Sequence, residues 1–145
     1  MNGGKGVPLT TVKTGMNDGG LLDTHVLLWA VSAPERLSPG IRSLIQKGAY
    51  AVSVASLWEL INKREKRDAP VKDPAAWWER YVTAGGTRVL PIRARHVLEL
   101  QKLPWHHRDP YDRILIAQSI VEDMTLITAD DEMQKYPVRI TPACL

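Results

Sequence analysis

The stretch Leu21-Leu22-Asp23-Thr24-His25-Val26-Leu27-Leu28-Trp29-Ala30 constrains what this chain can fold into more than any other. It reads as a short apolar strand that ends on a carboxylate, turns at Thr24-His25 and resumes as an apolar helical run. In an open parallel sheet, ligands bind in the crevice outside the carboxyl ends of the strands, which is where this order of elements puts Asp23. A charge placed there needs partners to offset its loss of water.

The same strand-then-helix unit recurs along the chain. Ser38-Pro39 opens a helix with Ile41, Leu44 and Ile45 on one face and Gly48 as its stop. Tyr50-Ala51-Val52 is a short strand. From Ser53 a helix bearing Leu57, Leu60 and Ile61 runs into Lys63-Arg64-Glu65-Lys66-Arg67 and ends before Pro70. Asp73-Pro74 caps a helix carrying Trp77, Trp78 and Tyr81, which stops at Gly85-Gly86. Thr87 to Leu90 alternates as a strand, and a helix follows from about Ala94 to the break at Pro104. Asp109 is a natural N-cap, Pro110 the first helical residue and Asp112 a first-turn acid. The helix from Arg113 to Val121 is apolar nearly all round and should be buried. Thr125 to Thr128 is a strand leading to Ala129-Asp130-Asp131, and Val138-Arg139-Ile140 is a weak edge strand. Strands alternating with helices imply an α/β fold, a parallel sheet of four to five short strands with helices on both faces.

Size and composition bound the rest. A chain of 145 residues, 44% apolar, suffices for one compact domain, taken here as residues 21–145. Residues 1–20 hold six of the ten glycines and no apolar period, and read as a flexible leader, with Met16 a candidate natural start and the residues before it an upstream extension. No run approaches the ~20 apolar residues of a membrane span or the apolar block of a secretion signal, so a cytoplasmic protein is expected. The single cysteine, Cys144, excludes a disulfide framework or a cysteine-based zinc site within one chain. A net charge of +3 is compatible with a polyanionic partner but does not demand one.

Four acids carry the chemistry. Asp23 and Asp130 follow strands at the same edge of the sheet, and Glu59 and Asp112 sit on helices in apolar surroundings where an unpaired carboxylate is costly. A hard divalent cation would resolve that cost. Carboxylate oxygens with water in the remaining positions suit Mg²⁺ or Mn²⁺, which bind phosphate oxygens alongside protein ligands, so a phosphate ester is the expected substrate class. Each acid also has a bland role. Ser56-Leu57-Trp58-Glu59 fits a capping box, Asp112 could complement the helix dipole, and Asp130 beside Asp131 could be an ordinary turn. Their joint appearance favours the common site. Phosphatases of the haloacid dehalogenase type need an acid where His25 stands, and receiver domains need a lysine after a late strand, where none follows Ile140.

The segments LLDTHVLLWA, VSVASLWEL, HHRDPYDRILIAQS and LITADDEM resemble the successive motifs of the PIN-domain family, specifically the VapC-type ribonuclease toxins of bacterial type II toxin–antitoxin systems. The resemblance runs from Leu21 to about Val138. It implies a three-layer α/β/α domain and a metal-dependent endoribonuclease holding one or two Mg²⁺ or Mn²⁺ ions on Asp23, Glu59, Asp112 and Asp130, with Asp131 the alternative to Asp130. Thr128 matches the family's threonine two residues before the last acid. The partners implied are RNA and a cognate antitoxin, with a homodimer and a larger hetero-oligomer as assemblies. The alternative is a non-catalytic partner-binding or autoregulatory module on the same fold.

Basic and aromatic residues supply the secondary candidates. Lys63, Arg64, Lys66 and Arg67 could follow an RNA backbone or form a solvated helix end. Arg108 and Arg113 are candidates for substrate phosphate, and Arg113 equally for fixing an acid. His106-His107 are read as shaping a loop. Trp77 and Trp78 are consecutive on a helix and cannot both face fully inward, so one is expected to line a groove for the antitoxin.

Overall fold

Five short strands, β1 (Leu21–Leu22), β2 (Ala51–Ser53), β3 (Arg88–Leu90), β4 (Leu126–Thr128) and β5 (Ile140–Pro142), form one parallel sheet in the order β3-β2-β1-β4-β5. This computed structural model describes residues 19–105 and 109–144. Most of the expected leader, together with His106, His107 and Arg108, lies outside the described residues. The helices are α1 (Thr24–Ser32), α2 (Pro39–Gln46), α3 (Val54–Lys63), α4 (Pro74–Trp78), α5 (Ala94–Glu99) and α6 (Pro110–Val121). The chain builds outward from β1 to β3, then returns to place β4 on the other side of β1. That reversal is the point where a crevice opens at the carboxyl edge of a parallel sheet.

The two-residue side-chain period of the strands makes two cores. Leu21, Ala51 and Leu126 pack on one face with Ile114, Leu115, Ile116 and Ala117 of α6. Leu22, Val52 and Ile127 pack on the other with Val26 and Leu27 of α1 and Ile41 of α2. The result is three layers, α/β/α. Each fully buried leucine contributes about 1.5–3 kcal/mol of burial, so a strand as short as β1 is held by its neighbours and not by propensity.

The glycines before β1 are a requirement of that packing. Gly20 has φ +90°, and a Cβ there would meet the Thr125 carbonyl oxygen at 2.5 Å; one at Gly19 would meet the Ala49 oxygen at 1.7 Å. The backbone is close enough for Leu21 N–H to donate to the Thr125 carbonyl (2.8 Å) and Ala51 N–H to the Gly20 carbonyl (3.0 Å).

Several elements differ from the sequence reading. Helix α3 stops at Lys63, so Arg64, Lys66 and Arg67 lie in the turns beyond it. Its cap is Ser53, whose Oγ accepts from Ala55 N–H (2.9 Å), which leaves Glu59 in mid-helix and removes the capping-box role. Helix α4 is short and passes into a π-helical turn over Glu79–Thr83. Trp77 and Trp78 are both half-buried against the second core, and Trp77 lies 5.5 Å from the Tyr81 ring, so neither is prominently exposed. The most exposed large apolar side chains are instead Trp105 (77%) and Leu98 (61%). Among the described residues, no helix is long and apolar enough to cross a membrane.

Candidate active site

Asp23 leaves β1 directly into the crevice between β1 and β4. Its backbone N–H donates to the Ile127 carbonyl (2.9 Å), and its carboxylate accepts from Thr24 N–H (2.7 Å) and from the Thr128 hydroxyl (2.6 Å). Thr128 therefore joins the ends of the two strands, and its Oγ1 also accepts from Asp130 N–H (3.0 Å). Burial pushes the Asp23 carboxyl above its ordinary range. The bonds from Thr128 and Thr24 offset part of that, and the nearby charge of Glu59 adds to it.

Glu59 reaches the same place from α3. It is buried, and Lys63, one turn along the helix, bonds its Oε2 at 2.5 Å. Partial burial works against the Lys63 ammonium, but the bond to Glu59 and the charges of Glu59, Asp109 and Asp112 outweigh it and hold its pKa above the usual lysine value. Within α3, Ser56 Oγ lies 2.9 Å from Thr24 Oγ1 and fixes that helix against the start of α1.

Asp112 comes from the first turn of α6. The cap of that helix is Asp109, whose Oδ1 accepts from Tyr111 N–H (2.9 Å) and Asp112 N–H (3.2 Å). A carboxylate serving only the helix dipole would be stabilised as the anion. Asp112 shows the opposite: its pKa is pushed up to about 8, first by burial and then by the charges of Asp23, Asp109, Glu59 and Asp130. Asp23, Glu59 and Asp130, each from a different part of the fold, thus lie within electrostatic reach of Asp112. Asp130 belongs to this group and also caps the 3₁₀ turn Asp131–Lys135 through Glu132 N–H (2.9 Å), whereas Asp131 is exposed.

The donor set is all carboxylate and hydroxyl oxygen, which fits a hard divalent cation in chemistry and in charge. Among the described residues, no three acids or histidines already close on one point as a cage. Glu59 Oε2 is turned to Lys63 and Asp23 Oδ2 to Thr128, so a cation bound through Glu59 Oε2 would take the place of the Lys63 ammonium.

The basic candidates separate. Lys63 is inside the site, and Lys66 lines a groove that continues from it. Arg64 folds back onto the Ile61 carbonyl (2.7 Å), and Arg67 is exposed. Arg113, expected against phosphate or an acid, is buried and donates to the carbonyls of Pro104 (2.7 Å) and Leu100 (3.4 Å), with its guanidinium 3.9 Å from the Trp105 ring centroid. The geometry gives it the task of fastening the segment after α5 to α6.

Several supporting residues escaped the sequence reading. Gln118, fully buried in α6, accepts from the Ser53 hydroxyl (2.6 Å) and donates to the Pro91 carbonyl (3.1 Å), tying the end of β2 to the helix that carries Asp112. A lone amide in an otherwise apolar helix was the available signal. Tyr111 accepts from Asn62 Nδ2 (2.6 Å) and meets Trp58 edge to face at 4.6 Å, locking α3 against α6 beside the acids.

The model of the PIN domain family matches residues 20–138. No curated protein matches the chain. Among solved structures, a chain of the DNA-bound VapBC from Salmonella typhimurium aligns at 20% identity and TM-score 0.65, over 86% of this chain and 97% of that one. A chain of VapBC2 from Rickettsia felis, bound to a promoter DNA fragment, aligns at 15% identity and TM-score 0.60, over 84% and 96%. A chain of VapBC-5 from Mycobacterium tuberculosis, of the VapBC family of toxin–antitoxin systems, aligns at 18% identity and TM-score 0.54, over 87% and 98%. At these identities the structural matches establish a shared fold, and the family match over most of the sequence establishes membership: the chain belongs to the PIN-domain family.

Proposed function

We propose that this protein is a metal-dependent endoribonuclease toxin of the VapC type, held in check by a cognate antitoxin. The observation that carries the reading is the convergence of Asp23, Glu59 and Asp130 on Asp112 at the reversal point of the sheet, where burial first and then the charges of its neighbours raise Asp112 to about 8. Carboxylates kept together against their own charge are characteristic of functional sites. The resemblance of the motifs to VapC toxins and the fold shared with VapBC chains support the toxin assignment.

One or two Mg²⁺ or Mn²⁺ ions on the four acids would supply activation of water and neutralisation of the phosphate charge during in-line attack on an RNA phosphodiester. The chain's own residues prepare that site. Thr128 and Thr24 hold the Asp23 carboxylate in one orientation, and the Ser53–Gln118 and Asn62–Tyr111 bonds fix the helices that present Glu59 and Asp112. Lys63 neutralises Glu59 and, once displaced, is placed to meet a phosphate. The RNA substrate, the antitoxin and a homodimer that enters a larger assembly with it belong to the same proposal.

The test is cleavage of RNA by purified, antitoxin-free protein. Products should form with Mg²⁺ or Mn²⁺, vanish in chelator and return on metal addition. No cleavage under any of these conditions would favour a non-catalytic binding module.

A further inference from the structure

We propose that the groove running from Glu59 along α1 is a subsite for one nucleotide of single-stranded RNA, its base stacked on a platform built from Trp29 and Arg36 and bordered by His25. The proposal rests on the nuclease reading and specifies where its substrate lies. The groove has a volume of about 470 Å³, within the range of small-molecule sites, and is open to solvent along one side. Thr24, Glu59 and Lys63 line its inner end, so it is continuous with the acid cluster and needs no separate entrance for the substrate.

Its walls have the chemistry that recognises an unpaired nucleotide. The Arg36 guanidinium lies 4.2 Å from the Trp29 ring centroid, and the His25 ring, 6.3 Å away and tilted by 50°, borders the platform instead of extending it. A planar cation resting on an indole extends the flat surface on which a base can stack, and stacking of this kind accepts only bases that are out of a duplex. Lys63, Lys66 and Arg36 line the groove against two acids, Glu59, which Lys63 already pairs, and Asp68. That excess of positive charge follows the path of a phosphodiester leading to the acids. An acidic or apolar peptide would use either the charge or the aromatic surface; a nucleotide uses both, beside carboxylates suited to its phosphate.

The test measures two things on the intact chain. In an Asp112→Asn background, binding of short single-stranded RNA of random sequence is followed by tryptophan fluorescence and by filter retention. In the otherwise unaltered protein, the ends left by cleavage of the same RNA are sequenced. Trp29→Leu and Arg36→Ala should each weaken binding, by about fivefold to more than a hundredfold for loss of one stacked base, and should relax the base preference next to the cut. Arg36 is exposed, so its variant reports even where Trp29→Leu perturbs the second core. Duplex RNA should compete poorly. Unchanged binding and unchanged ends in folded Arg36→Ala and Trp29→Leu proteins overturn the proposal and assign the groove to a protein partner or to packing, while cleavage itself would keep the nuclease reading intact. Groove-dependent RNA binding without cleavage in any metal would do the reverse. Absence of RNA binding by the Asp112→Asn protein would overturn the proposal as well.

Discussion

A carboxyl with a pKa near 8 at the head of a helix destabilises the fold it belongs to, and Asp112 is such a group. In the unfolded chain it ionises near its ordinary value of 3.8, and in the folded protein only at about 8. Between those values the folded state holds a proton that the unfolded state has lost. Stability is therefore greatest below pH 4 as far as this group is concerned, and falls as pH rises towards 8, by at most about 1.4 kcal/mol per pH unit. Asp23, raised chiefly by burial, acts in the same direction. In chelator, melting of the wild-type protein should drop across this window, and Asp112→Asn should flatten the drop and raise the melting temperature at pH 8. An unchanged slope, or a variant less stable at pH 8, would mean that Asp112 serves the helix and not a repulsive cluster. The four acids were legible in the sequence because charge in apolar surroundings is rare. Which duplicate acid turns inward was not legible, since Asp130 and Asp131 differ only by the turn that leaves one half-buried and the other exposed.

At the level of elements, positions depend on contacts distant in sequence. The shortness of β1 and its leading glycines look like weak strand material until Thr125 is brought against Gly20, when only glycine fits. Gly20→Ala should cost about 1–3 kcal/mol from backbone strain alone, with more from the contact at the Thr125 oxygen, read by chemical denaturation. A cost near zero would show that β1 can shift without penalty. Helix starts at Ser38 and Asp109 followed from local capping chemistry and could be read directly. The start of α3 at Ser53 was also legible, whereas the capping box offered by Ser56 and Glu59 was set aside by Ser53 taking the cap where β2 ends. Ser53→Ala removes a cap and leaves Gln118 Oε1 without its buried donor. It should destabilise by about 1–3 kcal/mol and, by loosening α6 against β2, lower activity with little change in RNA affinity. Equal stability would reduce the Ser53–Gln118 bond to an incidental contact.

For the whole molecule, the alternation of strands and helices identified the α/β class, and the two-residue strand period accounts for the two cores. Burial patterns specify which side chains are inside more reliably than where a partner binds. Trp77 and Trp78 drew attention in the sequence and are half-buried, whereas the most exposed large apolar side chains among the described residues are Trp105 and Leu98. The positive charge is likewise organised only in three dimensions. Of the basic run, Lys63 and Lys66 face the groove beside the acids, and Arg64 bonds its own helix end. Lys66→Ala should lower RNA affinity and reduce the magnitude of its salt dependence by about one phosphate contact; an unaltered salt slope would place Lys66 outside the RNA path. The account as a whole rests on the acid cluster being a cation site. Calorimetric titration with Mn²⁺ at pH 7, in two buffers of different ionisation enthalpy, tests this most directly. Binding should release protons, because a carboxyl with a pKa near 8 must lose its proton to coordinate, and Asp112→Asn should weaken binding at least tenfold and reduce that release. Equal affinity and proton release in the two proteins, or no binding by the wild type, would contradict it.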